Sequence, residues 1–239
     1  MPDTLVTGVG IPLALVAAAA AYGWAVIRLE RDGRLVLPLR ATTSFVAGLI
    51  VVALALLGPV DARAHDLFAW HMVQHLLLVS VASPLLAIGQ PITVTRAVLG
   101  RHDGRAPRAA GLVGVALVQV GVLMAWHIPW LYEEALTHDP LHGLEHVTLL
   151  GTAFFLWSHL LRSAGAWRGV ALIVLFLAAF PPMAYGVGLT LATTSWYSSY
   201  TLDDQQIAGV LMWAYGGAAV VVGGVGLFAN WLVTAEAEP

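Results

Sequence analysis

Two pairs of histidines, each separated by four residues, occur in a chain that is otherwise almost wholly apolar. His71 and His75 form one pair, and His142 and His146 form the other. On a helix, residues i and i+4 lie on the same face with Cβ atoms roughly 5–6 Å apart, which allows two imidazoles to bind one metal ion. Both pairs border long hydrophobic segments, where a polar side chain is costly without a partner. The spacing therefore indicates a metal or haem site inside a membrane protein.

The composition indicates an integral membrane protein. Of the 239 residues, 59% are hydrophobic and 10% are charged, whereas a soluble domain carries about 25% charged residues. The formal net charge of -3 argues neither for nor against nucleic acid. We expect no nucleic acid partner for a membrane-embedded chain. Because the chain contains no cysteine, disulfides and thiolate metal sites are excluded.

The hydropathy pattern predicts an all-α fold, a polytopic transmembrane helix bundle of about seven spans that forms a single domain over residues 1–239. A helix that crosses a bilayer needs roughly 20 mostly apolar residues. The apolar segments that meet this length are 7–28, 41–59, 67–88, 110–128, 144–161, 169–189 and 205–232. The first segment has no basic residues before it, so we interpret it as a retained span and not as a signal peptide.

The arginines predict the orientation of the bundle, because positive residues concentrate in cytoplasmic loops. The arginines that flank the first, third and fifth loops are Arg28, Arg31, Arg34, Arg40, Arg96, Arg101, Arg105, Arg108, Arg162 and Arg168. Only Arg63 lies in an even-numbered loop. We therefore expect the N-terminus outside the cell and the C-terminus in the cytoplasm, with the lipid bilayer around the bundle.

This orientation places the residues capable of chemistry toward the outer side. Seven of the nine histidines map there, namely His65, His71, His75, His127, His138, His142 and His146, and the exceptions are His102 and His159. The four internal methionines map to the outer halves of their spans, and they are Met72, Met124, Met183 and Met212. Imidazole binds copper, zinc, iron and nickel, whereas thioether ligands select Cu(I). The distribution therefore favours copper.

Each candidate also has a purely structural interpretation. The histidine pairs could be hydrated at the membrane interface, His127 could be a snorkelling or capping residue, and methionine usually fills gaps in a core. Asp204 could stabilise the N-terminus of the last span, or it could complete or orient the metal site. Gln74 and Glu145 could orient an imidazole N–H from outside the ligand set.

Two further patterns concern packing. Trp126, Trp130, Trp196 and Tyr197 are predicted to form an outer aromatic belt. The glycines of the last span form a small-residue surface suited to close helix packing, either within one chain or between chains. The oligomeric state therefore stays open.

Four segments together resemble the multi-span CtaG-type cytochrome c oxidase assembly factors. These segments are His71-Met72-Val73-Gln74-His75, Trp126-His127-Ile128-Pro129, Leu141-His142-Gly143-Leu144-Glu145-His146 and Asp204-Gln205-Gln206. The resemblance covers roughly residues 40–230, and it does not extend to the single-span copper chaperone that shares the CtaG name.

The resemblance implies a multi-pass protein of the bacterial plasma membrane that helps to assemble a haem–copper terminal oxidase. It also implies a metallochaperone that delivers copper to the catalytic subunit of the oxidase, with a separate copper donor protein as a further partner and no enzymatic activity of its own. The metal-binding positions that it implies are His71, His75, His127, His142 and His146. Met72, Met124, Glu145 and Asp204 are the accessory candidates.

Three other functions stay open at this point. A b-type haem protein would use histidines of two helices as axial ligands, although two complete pairs exceed what one haem needs. The segment His142-x-x-Glu145-His146 also matches the inverted zinc-protease motif, in which Glu145 would act as a general base. In a metal-free scaffold, the histidines would only hold helices together.

Overall fold

The computed structural model describes residues 9–101, 107–165 and 167–235, and within these ranges the chain forms helices and no strand. The helices in chain order are α1 (Ile11–Arg31), α2 (Leu39–Leu56), α3 (Pro59–Ala64), α4 (Phe68–Ile88), α5 (Pro91–Val98), α6 (Ala109–Trp126), α7 (Pro129–Thr137), α8 (Asp139–Leu161), α9 (Trp167–Leu191) and α10 (Leu202–Val233). His102, Arg105 and the first two residues of the first predicted span lie outside the described residues.

Seven of the described helices are long, and each overlaps one predicted span. Six of the seven could cross a membrane by length and composition: α1, α2, α4, α6, α9 and α10. The exception is α8, because Glu145, His146 and His159 lower its mean hydropathy. The predicted all-α polytopic bundle is confirmed. The structure contains six candidate spans among its described residues, compared with about seven predicted, and the difference is the more polar helix α8.

Prolines and π-helical turns shape the helices around the site. Proline occupies one of the first two positions of α1, α3, α5, α7 and α8, where a missing backbone N–H costs nothing. α4 contains a π-helical turn at Leu77–Ala82, and α10 contains another at Leu211–Tyr215. Such turns are often found at functional sites.

Glycines allow α10 to approach its neighbours within the chain. A Cβ atom on Gly209 would lie 2.6 Å from the carbonyl oxygen of Gly186 and 2.7 Å from the backbone nitrogen of Thr190. Further along α10, Gly223 lies directly against the ring of Trp157. At these positions, the small-residue surface of the last span packs against α8 and α9 of the same chain.

The helices that carry the histidine pairs are neighbours in space. α8 packs against both α6 and α4, and the first turns of α10 pack against the first turns of α4. The histidine-bearing first turns of α4 therefore lie beside the beginning of α10, and the later turns of α4 pack against α8.

Candidate metal centre

Five histidines from three parts of the chain converge in one buried cluster. His71 and His75 come from α4, His127 directly follows α6, and His142 and His146 come from α8. Ring centroids lie 4.3 Å apart within each four-residue pair, 5.3 Å apart between His71 and His142, and 5.7 Å apart between His75 and His146. The centroid of His127 lies 6.1 Å from that of His75. No ring is more than 7% exposed. We call these five residues the imidazole cluster.

Glu145 brings a carboxylate into this cluster. Its side chain is fully buried, with Oε1 3.4 Å from Nε2 of His75 and Oε2 3.8 Å from Nε2 of His71. The sequence suggested that Glu145 would orient an imidazole from outside the ligand set. The structure places its carboxylate among the imidazoles themselves.

Two sets of donor atoms are close enough to hold an ion. His71, His75 and His146 form one set, and His71, His142 and Glu145 form the other, with the donor atoms of each set within 4.8 Å of one another. The sets share His71. The arrangement therefore offers alternative ligands within one small volume.

Unused hydrogen-bonding capacity fits a metal at this position. In the described part of the chain, the Nε2 atom of every histidine in the cluster and both carboxylate oxygens of Glu145 are buried without a hydrogen-bond partner. Each unsatisfied buried polar group costs about 1–3 kcal/mol, and the binding of a metal ion is one accepted reason for such a group. Imidazole nitrogens and a carboxylate also form a donor set that binds divalent transition metals.

A backbone contact fixes the tautomer of His127. Its Nδ1 lies 2.7 Å from the carbonyl oxygen of Leu123. Because a carbonyl can only accept, Nδ1 must carry the proton and donate it, which leaves the Nε2 lone pair free. A hydrogen bond donated by the ring nitrogen that does not bind the metal is the usual way in which a metal-binding histidine is oriented.

Asp204 holds the beginning of α4 from another helix. Its Oδ2 accepts from the backbone N–H of Phe68 at 2.7 Å, and its Oδ1 accepts from that of Ala69 at 3.1 Å. Both groups are among the helix N–H groups that have no partner within the helix. Asp204 belongs to neither donor set found among the described residues, so its contacts support an orienting role one turn before His71.

Gln74 also fixes α4, but in a way the sequence did not predict. Its fully buried side-chain amide donates to the carbonyl oxygen of Ala55 and to Oδ1 of Asp61, each at 2.9 Å. The amide group was expected to orient an imidazole. It instead connects α4 to α2 and α3.

Tyrosines enclose the cluster on the side of the loop between α9 and α10. The hydroxyl groups of Tyr185 and Tyr197 both donate to the carbonyl oxygen of His127 at 2.8 Å. The ring of Tyr132 lies 4.9 Å from that of His71, and its hydroxyl lies 3.1 Å from that of Tyr200. These contacts were not predicted, because nothing in the local sequence relates the tyrosines to the histidines.

Burial raises the pKa of three tyrosines beside the cluster. It raises the pKa of Tyr132 and of Tyr197 well above the ordinary value, and it raises the pKa of Tyr200 to about 12. Removing these phenols from water disfavours the phenolate form. The tyrosines therefore act as neutral hydrogen-bonding groups at any physiological pH.

The predicted aromatic belt divides into two groups. Trp130 and Trp196 are 68% and 42% exposed, as expected for a membrane-interface position. Tyr197 is fully buried, and Trp126 is 7% exposed and donates its indole N–H to Thr148. The latter two residues are part of the interior around the cluster.

The remaining candidates occupy different environments. Met72 is 1% exposed, and it packs with Phe68 and Tyr132 beside the cluster. Met124 is half-buried on α6. His65 is exposed, and its ring lies 5.4 Å from that of His142, so it continues the row of imidazoles to the surface.

Comparison with known proteins identifies the family. A search of curated proteins finds no significant match, and a search of solved structures finds none either. The sequence profile of the cytochrome c oxidase caa3 assembly factors (Caa3_CtaG) matches residues 20–234, which is most of the chain. The match includes every residue of the imidazole cluster, and the chain belongs to the cytochrome c oxidase caa3 assembly factor family.

Proposed function

We propose that this assembly factor binds copper in the imidazole cluster and transfers it to the catalytic subunit of a haem–copper oxidase. The observation that carries the proposal is the convergence of five buried imidazoles, each with a free Nε2, around the buried carboxylate of Glu145. A membrane protein retains such a costly polar cluster when the cluster has a function.

The donor set favours copper as the cargo. Imidazole ligands bind Cu(I) and Cu(II), and copper stands at the top of the divalent affinity series. No thiolate is present in the chain to compete for the ion. His71, His75, His127, His142 and His146 are the proposed ligands, and Glu145 supplies a compensating negative charge within the site.

Surplus donors favour transfer over permanent storage. The two donor sets share His71, so an ion can exchange one imidazole for another without leaving the protein. His65 lies exposed beside His142, and it provides a first ligand for copper that arrives from a donor protein. Transfer then requires only ligand exchange, and no bond in a substrate is made or broken.

The proposed setting is the bacterial plasma membrane, with the imidazole cluster toward the extracytoplasmic side. The arginine distribution supports this orientation. The polar end of α8 and the exposed indole of Trp130 at the same end of the bundle agree with an interface near the cluster.

The geometry argues against the haem alternative. Within the described chain, the cavity that adjoins His75 and His127 measures about 120 Å³, whereas pockets for drug-sized ligands measure about 300–1,000 Å³. The ring centroids of His71 and His142, on two different helices, lie only 5.3 Å apart, which leaves no room for a porphyrin between them. The ring of His75 also lies directly against that of His71. A Soret band in the spectrum of the purified protein would nevertheless establish that it binds haem.

The zinc hydrolase alternative makes a different prediction for Glu145. A general base must reach a metal-bound water, and Glu145→Gln would then abolish hydrolysis while zinc stayed bound. Under our proposal, the same substitution weakens copper binding, because it removes the only negative charge of the two donor sets.

Metal analysis of the purified, detergent-solubilised protein tests the proposal. We expect copper to bind the wild type, and His71→Ala or His142→Ala to lose the copper held by the imidazole cluster. His138→Ala is the matched control, because this histidine is exposed and contacts Glu134 and Thr137 outside the cluster.

The copper content of the oxidase provides the second measurement. Cells that carry His71→Ala should assemble an oxidase deficient in copper, and cells that carry His138→Ala should not. A wild-type protein that binds no copper, or a folded His71→Ala protein that supports a fully metallated oxidase, would refute the proposal. The second outcome would favour the metal-free scaffold.

A further inference from the structure

We propose that a second, softer metal site lies directly beneath the imidazole cluster, in which Met72, Met183 and Met212 hold Cu(I). This inference deepens the copper-transfer function and rests on it. The site is a cavity of about 120 Å³ between α4, α6, α8, α9 and α10. We call it the methionine cavity.

Three thioethers and two imidazoles line the methionine cavity. Met72, Met183 and Met212 come from α4, α9 and α10, and His75 and His127 lie on its wall. Because both histidines also belong to the imidazole cluster, the two sites share a boundary. An ion can therefore pass from one site to the other by exchanging ligands at His75 or His127.

The remaining lining selects the kind of ion. Most of it is aliphatic or aromatic, including Leu123, Leu156 and Val220, and Gln119 and Ser80 are its other polar members. A doubly charged ion loses its hydration in such surroundings at great cost. A monovalent ion with neutral sulfur ligands loses far less, and thioethers select Cu(I).

The methionines do not simply fill the core. Methionine adapts to irregular gaps and normally closes them, but here three methionines surround a space that stays open. A water molecule occupies about 30 Å³ in the liquid, so the methionine cavity can hold an ion and its immediate ligands.

The backbone is adapted at two of the three methionines. Met212 lies in the π-helical turn of α10, and Met183 directly follows the two prolines of α9. The Cε atom of Met183 lies 3.0 Å from the position that a Cβ on Gly217 would occupy. A larger residue at that position would push the thioether away from its present place.

Transfer between the two sites needs no redox reaction. His75 or His127 releases Cu(I) as a thioether sulfur binds it, and the copper keeps its electron count throughout. The methionine cavity would thus hold Cu(I) away from water after the imidazole cluster has accepted it.

Anaerobic titration with Cu(I) in the presence of the chelator bicinchoninate tests this inference on the full chain in detergent. We expect two equivalents for the wild type and one for the triple variant Met72→Leu/Met183→Leu/Met212→Leu. Met124→Leu is the matched control, because Met124 does not line the cavity, and it should keep both equivalents.

X-ray absorption distinguishes this inference from the proposed function. The sulfur scattering of bound Cu(I) should disappear in the triple variant and persist in His142→Ala/His146→Ala, which disrupts only the imidazole cluster. Copper bound to the wild type through nitrogen and oxygen alone would overturn the methionine site and leave the imidazole site intact. A wild type that binds no copper would overturn both.

Discussion

Replacement of Asp204 tests how the imidazole cluster is held in place. The two carboxylate oxygens of Asp204 accept from the first backbone N–H groups of α4, at 2.7 and 3.1 Å. Hydrogen bonds to charged groups contribute about 1.5–3 kcal/mol each. Because Asp204 is half-buried, water recovers part of this loss, and we expect Asp204→Ala to lower the free energy of unfolding by about 2–3 kcal/mol.

The matched control is the neighbouring residue Asp203. It lies in the same first turn of α10 but is exposed, and surface substitutions change stability by about 0.5 kcal/mol or less. Thermal unfolding in detergent should show a midpoint about 5–10 °C lower for Asp204→Ala than for Asp203→Ala.

Copper affinity gives a second measurement for the same pair. Loss of the contacts that orient metal ligands typically reduces affinity about 10–100-fold, and we expect about tenfold for Asp204→Ala because His71 follows only one turn after the contact. If both variants unfold at the same temperature and bind copper equally, Asp204 does not position α4 and the reasoning fails.

Further predictions concern packing, charge and metal linkage. Gly209→Ala should destabilise the protein by about 1–3 kcal/mol through overpacking against the backbone of α9, whereas Gly226→Ala, with nothing within 4 Å, should be neutral in thermal unfolding. Glu145→Gln should leave the metal-free protein at least as stable as the wild type, because it removes a costly buried charge. The same substitution should lower the affinity for copper at least tenfold. An unchanged copper affinity would contradict the charge-compensating role of Glu145. Tyr185→Phe should lower the free energy of unfolding by about 0.5–1.5 kcal/mol. The double variant Tyr185→Phe/Tyr197→Phe should lower it further, because in the single variant the hydroxyl of Tyr197 still donates to the carbonyl oxygen of His127. Copper at one hundred times its Kd should raise the free energy of unfolding by about 2.7 kcal/mol, a gain that a chelator should reverse in a thermal scan.

The imidazole cluster has an energetic consequence for the protein without metal. Several unsatisfied buried groups destabilise the surrounding helices, so the contacts made by Gln74 and Asp204 have to hold α4 against this cost. Metal binding is therefore expected to stabilise the histidine-bearing end of the bundle more than the opposite end.

Local sequence was sufficient for the helices and for the placement of each histidine pair on one helix face. Hydropathy over windows of about 20 residues predicts spans because each helix satisfies its own backbone hydrogen bonds in the membrane. The four-residue spacing of His71/His75 and of His142/His146 predicts a shared face, since helix geometry is fixed within one turn. Both properties depend only on near neighbours in the chain.

Tertiary structure alone decided which faces meet. The rotation of α9 against α10 depends on close packing such as that of Gly186 on Gly209, which lie on different helices. This packing places the carboxylate of Glu145 among the imidazoles, directs Gln74 toward α2 and brings Asp204 to the beginning of α4. These contacts join segments up to 136 residues apart. The local spacing of residues does not predict them, because a contact between distant segments is set by the packing of whole helices.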